Sequence, residues 1–513
     1  MVQPGRRPEP NGGNGGNEGI VITPTATSIT LNGGQSVRVS FAVERVHNVS
    51  SPVRLSVGSV PPGITAVLSP QFLPETGSNF YLTLTAAENV TPVEATIDVG
   101  PLQPPRGRIS ALATVTVNVM ASGQVLPTYM ILTVLYAPPG TNGGRSSSQV
   151  SYARGSTTGT TDSTSNSFKD GVDVTASADD QFGPVSLGAS ADFTASKTST
   201  ETSQVSINKG ANNQINDSGP GADGINHGHD LFYLWLNPLL NVTIDHLGNI
   251  TWEIGVNGPE MLIQYVYVEW LQNPSLMPPG VAQALAAAGL TTADYAQILA
   301  CNPFGSGATA IDPNRFVPTT HSFPYEPPLT AADLVPTMTY TLTSATTTTD
   351  TQQVQTQYGV SISVSAGIKA PFSASLKVTT SLQWTNTSTS TQTTGSTQQA
   401  SVTIGGPAFG YTGPTDLLVY WDTVYSSFMF AFATGSPSMS GTLTDSAGNP
   451  VPNQAMTLTV GGITLSTFTN SRGQYNFYGA PAGQGTATVE SQQFPVAVGA
   501  GEPSPTLRLN APA

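Results

Sequence analysis

Residues 359–384, "GVSISVSAGIKAPFSASLKVTTSLQW", alternate apolar and polar side chains almost without a break. Val360, Ile362, Val364, Ala366 and Ile368 form one apolar row, and Phe372, Ala374, Leu376, Val378, Leu382 and Trp384 form a second. A period of two belongs to a strand, not a helix. Two strands joined at Lys369-Ala370-Pro371 are therefore expected, with one apolar face and one rich in hydroxyls. Such a face can meet a protein core or lipid, and alternation alone serves both.

The flanks carry more information. "TSATTTTDTQQVQTQ" (343–357) and "TNTSTSTQTTGSTQQAS" (385–401) hold almost no large apolar residue for either face. Strands of that kind build a sheet that is polar on both sides. The pattern returns at 168–196: Val172, Val174 and Ala176, then a turn at Gln181–Pro184, then Val185, Leu187, Ala189, Ala191 and Phe193, again between Ser/Thr-rich stretches. A transmembrane β-strand needs ~9–11 alternating residues, and both hairpins are long enough. A lone hairpin in lipid would leave unpaired edges, so insertion would require a ring of copies closing a barrel.

Composition supports a mainly β, multidomain chain. Only 9% of the 513 residues are charged, while Gly, Pro, Ser, Thr and Asn are abundant, the mixture of short strands and many turns. The formal net charge of -14 disfavours a nucleic-acid partner and charge-driven attraction to an anionic bilayer. The single cysteine, Cys301, excludes an internal disulfide and a Cys-rich metal site, and its place at the end of an Ala-rich helix suits a buried inert thiol. The N-terminal "MVQPGRRPEPNGGNGGNEG" has no apolar h-region, so no signal peptide is visible, and no run reaches the ~20 residues of a membrane helix. The expected location is nonetheless extracellular or on the cell surface, and membrane-associated when oligomeric.

The expected organisation is an arm at 1–19, a β-sandwich at 20–136, a linker at 137–144, an elongated β domain at 145–437 and a C-terminal β-sandwich at 438–513. Within the third, 209–335 is an insertion with helices at Val281 to about Ala288 and after Thr291, capped by Thr291 or Thr292 with Asp294 in the first turn. "MLIQYVYVEWL" (261–271) reads as a strand, and 302–336 as irregular. Asp223, His227, His229 and Asp230 in "GADGINHGHD" are a metal candidate; a turn held by Asx side chains is the competing reading. Asp422, alone in the apolar "VYWDTVYSSFMF", is either an acid of shifted pKa or the partner of a turn or a buried Arg. No nucleophile elbow, carboxylate pair or phosphate-cradling loop accompanies these residues, so no catalytic residues and no cofactor are expected.

Three resemblances follow from these motifs. "LSVGSVPPGITAVLSP", with Pro62-Gly63 and Ser69-Pro70, resembles bacterial immunoglobulin-like modules. Residues 438–510, through Gly441, Asp445, Gly448, Pro450, Thr469, Gly473, Tyr475, Phe477, Gly479 and Gly483, resemble the carboxypeptidase-regulatory-like, transthyretin-type sandwich, which implies a non-catalytic spacer or binding module. The Ser/Thr strands leading into and out of 359–384 resemble aerolysin-like β-pore-forming proteins of the epsilon and mosquitocidal toxin type. That likeness implies a secreted protein that oligomerises on a target membrane, with a surface receptor or glycan as a further partner, and inserts the hairpin. The family inserts one hairpin per protomer, whereas this chain offers two. The alternative is a non-catalytic bacterial cell-surface, adhesion or assembly protein.

Overall fold

The computed structural model describes residues 19–46, 51–102 except 89, 109–142 except 111 and 127, 148–152, 166–176, 215–254 except 238–239 and 248–249, 262–343 except 314, 354–355, 361–369 except 366, 376–388, and 399–510 except 423–424 and 426. For 166–176, 354–355, 361–369 and 376–388 the description is of backbone and pairing alone. The chain is mainly β and multidomain, with several sheets and, among the described residues, four hydrophobic cores.

The first core lies between two sheets. One has the order Ile64–Ser69, Asn79–Ala86, Ser36–Val46, Gly19–Pro24, Ile109–Ser110; the other runs through Phe72–Leu73, Val53–Val57, Val93–Pro101 and Ala113–Leu126. Alternation decides what each strand buries. Val39, Phe41 and Val43 face Phe80, Leu82 and Leu84, with Ile97, Val99, Val115, Val117 and Val119 on the opposite sheet. Full burial of each such side chain contributes about 1.5–3 kcal/mol, and the Phe41 and Phe80 rings stack at 4.7 Å.

The strand Ala113–Leu126 outruns this sandwich. Its far half pairs with Leu240–Ile244 on one side and with Gly367–Lys369 on the other. The next strand, Tyr129–Leu135, pairs with Leu231–Leu236 and not with the sandwich. Residues expected to close the first domain thus belong to the second core, where Tyr129, Ile131 and Val134 pack with Phe232, Val266, Leu285 and Ile298. A short strand buried on both sides carries no mark of which sheet it joins.

Helices occupy Pro279–Ala287 and Thr292–Ala300, the second entered through Thr291, whose N–H and hydroxyl both donate to Asp294 Oδ2 at 2.7 Å. A further helix, Val268–Gln272, takes over the end of the stretch read as one strand, because Val268 and Leu271 are buried at helical spacing. The Pro-rich stretch 302–336 also contains a strand, Phe316–Pro324. Its pairing shifts between Pro318 and Ser322, where the missing proline N–H interrupts the ladder.

The C-terminal sandwich joins the body through its edge. Ile463–Phe468 lies beside Phe316–Pro324, so one seven-stranded sheet runs from Ser427–Phe432 to Gln492–Val498. Phe468 packs against Phe323 and Tyr340, while Asn470 and Asn476 donate to Glu326 (2.8 Å) and Asp416 (2.9 Å). Within the module Asp445 accepts the Ala447 and Asn449 amides, and Gly473 turns at φ +70° with an added Cβ placed 2.6 Å from the Leu443 carbonyl oxygen. Gly473→Ala should therefore destabilise this module by roughly 1–3 kcal/mol, read as an earlier transition in differential scanning calorimetry.

Candidate functional site

Four short strands form the base of both expected hairpins. Gln149–Tyr152 and Ile215–Ser218 pair antiparallel and bracket 153–214; Thr337–Thr343 and Gln399–Gly405 do the same around 344–398. The two bases lie side by side, in the order Ile215–Ser218, Gln149–Tyr152, Gln399–Gly405, Thr337–Thr343. Val150, Tyr152, Met338, Leu342, Ala400, Val402 and Ile404 are buried against Leu417, Val419, Phe428 and Phe430, and Tyr152 Oη accepts the Phe428 N–H at 2.8 Å. On the opposite face the Thr339 and Thr403 hydroxyls meet at 3.1 Å. The bases are thus anchored to a protein core by one face.

Register ties the bases to what lies beyond them. The partners Gln149↔Ser218 and Tyr152↔Ile215 are centred between Gly183 and Pro184, and Thr337↔Gly405 and Thr343↔Gln399 are centred on Pro371. Both centres fall within the expected turns, although 177–214 and 370–375 lie outside the described residues. Further out, Asn166–Ala176 pairs with Leu376–Ser388. Partner numbers total 552 there and also between Gln149–Tyr152 and Gln399–Gly405, so no net residue is inserted between the two ladders. Asn166–Ala176, from the first expected hairpin, and Leu376–Ser388, from the second, are thus neighbours in the register of the bases. Ser361–Ser365 pairs with the other side of Leu376–Ser388, and the partners Val174↔Val378, Ala176↔Leu376 and Ile362↔Leu382 place the apolar positions in one parity.

The apex departs from the simple hairpin. Val354↔Ser388 keeps the register of the base, whereas Ser361↔Gln383 is displaced by two residues. Gly367–Lys369 leaves the hairpin to pair with Gln124, Val125 and Leu126, so Ile368 stands opposite Val125 rather than in the hairpin's apolar row. An alternating segment pairs equally well with any free edge that matches its pattern. Val360, Ala366, Phe372, Ala374, Val185, Leu187, Ala189, Ala191 and Phe193 lie outside the described residues.

Asp217 sits on the outermost base strand, opposite Val150. It is buried, and among the described residues no group stands in full hydrogen-bonding geometry to either carboxylate oxygen. Burial raises its pKa well above the carboxylate range, Asp230 adds to this, and the Ser218 amide opposes it. The penalty is absent below the ordinary value near 4 and grows as pH rises towards the folded-state value. Asp217→Asn should gain on the order of 1–3 kcal/mol at pH 7.5 and nothing at pH 3.5, as measured by urea melts at the two pH values.

Of the metal candidates, His227 and Asp230 meet: His227 Nδ1 donates to Asp230 Oδ2 at 2.9 Å, while its ring stacks on Phe304. Asp230 also accepts the Ala137 amide (3.0 Å) and Asn302 Nδ2 (2.7 Å). Asp223 instead accepts the Asn142 and Ala408 amides, and His229 faces Glu269 at 3.8 Å. Among the described residues no three of His, Cys, Asp or Glu gather as a metal group. Asp422 pairs with Arg315, 107 residues away, and with Tyr136. Cys301 is buried, and burial pushes its thiol up to about 11. Sequence reading missed Asp217, Arg315, Tyr136 and His321. Only the rarity of charge in their apolar surroundings could have flagged the first two.

No family model matches the chain, and no curated protein matches it. Among solved structures, domains 4 and 5 of the S-layer protein SbsC are 16% identical over 20% of this chain, which spans 53% of that structure, with a TM-score of 0.16. The BIgI domain of beta protein from S. agalactiae is 14% identical, covering 20% of this chain and 95% of that one (TM-score 0.14). The Bacillus anthracis TIE protein is 10% identical, covering 98% and 76% (TM-score 0.14). Likeness at this level fixes neither family nor function.

Proposed function

We propose that the chain is a non-catalytic, secreted or cell-surface protein whose working part is the two-hairpin sheet, and that copies join edge to edge through that sheet. The shared register of the two hairpins carries this reading. It makes them one sheet, whose outer strands, Ile215–Ser218 and Thr337–Thr343, have no outer strand partner among the described residues. Those strands run in opposite directions, so identically oriented copies meet antiparallel. Such a contact is heterologous and generates a ring or an open filament.

Closure in a membrane is the form that the alternating hairpins and their polar flanks favour, since a closed barrel removes every edge. The test is dye release from liposomes together with negative-stain imaging of the products. Wild type should release dye and form rings. Ile362→Asp with Val364→Asp should keep the rings and lose release, because charge at mid-bilayer costs on the order of 2–4 kcal/mol per site. Release that survives both substitutions would overturn the membrane form.

A surface array or adhesion stalk is the second reading. The join between the C-terminal sandwich and the body favours it, because the His321↔Ser466 pair and Phe468 against Phe323 and Tyr340 link the two. Filaments or sheets without dye release at any lipid composition would select it. Protein that stays monomeric with and without vesicles would remove both readings.

A further inference from the structure

We propose that His321 caps the sheet edge through which copies join, and that protonating it opens that edge. The inference rests on the edge-to-edge reading above and concerns the regulation of the same edge. Thr337–Thr343 is an outer strand of the base, paired on one side with Gln399–Gly405. The backbone N–H of Thr343, its last residue, donates to His321 Nε2 at 3.0 Å, and the Thr343 hydroxyl lies 3.1 Å from the same nitrogen. An imidazole thus occupies a donor that an incoming strand would need. Covering part of an exposed edge is a common guard against unwanted pairing.

The imidazole is held from its other side by the C-terminal sandwich. His321 Nδ1 donates to Ser466 Oγ at 2.6 Å, and His321 and Ser466 are bridge partners where the two sheets meet. Because Nε2 accepts, the ring is neutral and carries its proton on Nδ1. Three parts of the chain therefore converge on one side chain: the hairpin base through Thr343, the body strand through His321 itself, and the C-terminal module through Ser466.

Protonation would break this arrangement. A second N–H at Nε2 would face the Thr343 N–H, and the new charge would be buried, since His321 is 7% exposed. Among the described residues, the groups against the ring carry no negative charge. They are Ser466, Thr343, the Tyr340 ring at 5.4 Å and, on its own strand, Thr319, whose hydroxyl accepts the His321 amide. Tyr340 is the titratable group among these, and no carboxylate is one of them. Burial holds the His321 pKa down to about 4, below its ordinary 6.5, against a smaller opposing contribution from the Thr343 backbone. The cap is accordingly intact above pH 6.5 and weakens progressively as pH falls from 6.5 towards 4.

Hydrogen exchange of peptides covering 337–343, read by mass spectrometry at pH 7.5 and 5.0 and corrected for intrinsic rate, tests the cap without requiring assembly. Exchange should be about 10- to 30-fold faster at pH 5.0 in wild type, following the proton linkage between those values. His321→Gln, which can take the Thr343 N–H but cannot be protonated, should abolish the difference. His321→Ala should exchange fast at both values. Equal protection of wild type at the two pH values, or a difference that persists in His321→Gln, would overturn the inference. Sedimentation velocity on the same samples separates the two ideas. An edge that opens with acid while the protein stays monomeric supports the cap and counts against edge-to-edge joining.

Discussion

Asp422→Ala should unfold the body of the protein at denaturant concentrations where the wild type is intact, at a cost of about 3–5 kcal/mol. Asp422 and Arg315 are both buried, at 0% and 3% exposure. Arg315 Nε and Nη2 donate to the two oxygens of Asp422 at 3.0 and 2.9 Å, and the Tyr136 hydroxyl donates to Oδ2 at 2.7 Å. Arg315 Nη2 also donates to the Tyr136 oxygen at 3.0 Å, and the guanidinium lies 5.0 Å from the Phe316 ring and 5.3 Å from the Tyr425 ring. Removing the carboxylate takes both oxygens of its ion-pair partner from a buried guanidinium that cannot lose its proton. Against a typical total of about 5–15 kcal/mol, that loss is decisive.

The controls separate charge from shape. Tyr136→Phe removes one hydrogen bond and should cost about 0.5–1.5 kcal/mol. Arg315→Met combined with Asp422→Leu removes both charges and should recover most of the Asp422→Ala loss, because a buried pair stabilises little relative to well-packed apolar residues. Urea melts followed by tryptophan fluorescence give all three values. If Asp422→Ala lay within 1 kcal/mol of wild type, the pair would not be holding Tyr136, Arg315 and the Asp422 strand together.

This network also marks how far the sequence could be read. Asp422 stood out because a carboxylate in "VYWDTVYSSFMF" needs a partner, and a buried Arg was one of the partners expected. Which Arg it would be depended on a strand, Phe316–Pro324, hidden in a Pro-rich stretch. Alternation was legible because its period follows from the backbone. Thus 359–384 and 168–196 could be matched as one design, and the base registers are centred on the turns expected for them. Adjacency of the two hairpins was not legible, since strand pairing over such separations leaves no local trace. The departure of Gly367–Lys369 to Ala113–Leu126 was invisible for the same reason. His321 was the least legible residue. Its role comes from Ser466 and Thr343, which sequence distance places in separate domains.

Tethering the apex of the second hairpin to the first sandwich should abolish dye release, and reduction should restore it. In this conformation Ile368 is the antiparallel partner of Val125. Directly opposed residues in such a ladder have Cα atoms roughly 4.5–5.5 Å apart, which a disulfide can span. The pair Val125→Cys and Ile368→Cys would hold Gly367–Lys369 on Ala113–Leu126, whereas a spanning hairpin needs those residues in its own ladder. Cys301 should compete poorly for the new thiols, because it is buried. The matching control is Asp173→Cys with Thr379→Cys, partners in the ladder between the two hairpins. Hairpins that enter the membrane as neighbours keep that pair together, so oxidation there should leave release unchanged. Lysis by the oxidised apex pair would mean that the apex need not leave Ala113–Leu126. Inhibition by the control pair would mean that the hairpins part before they insert, and the shared register would then belong to the soluble form alone.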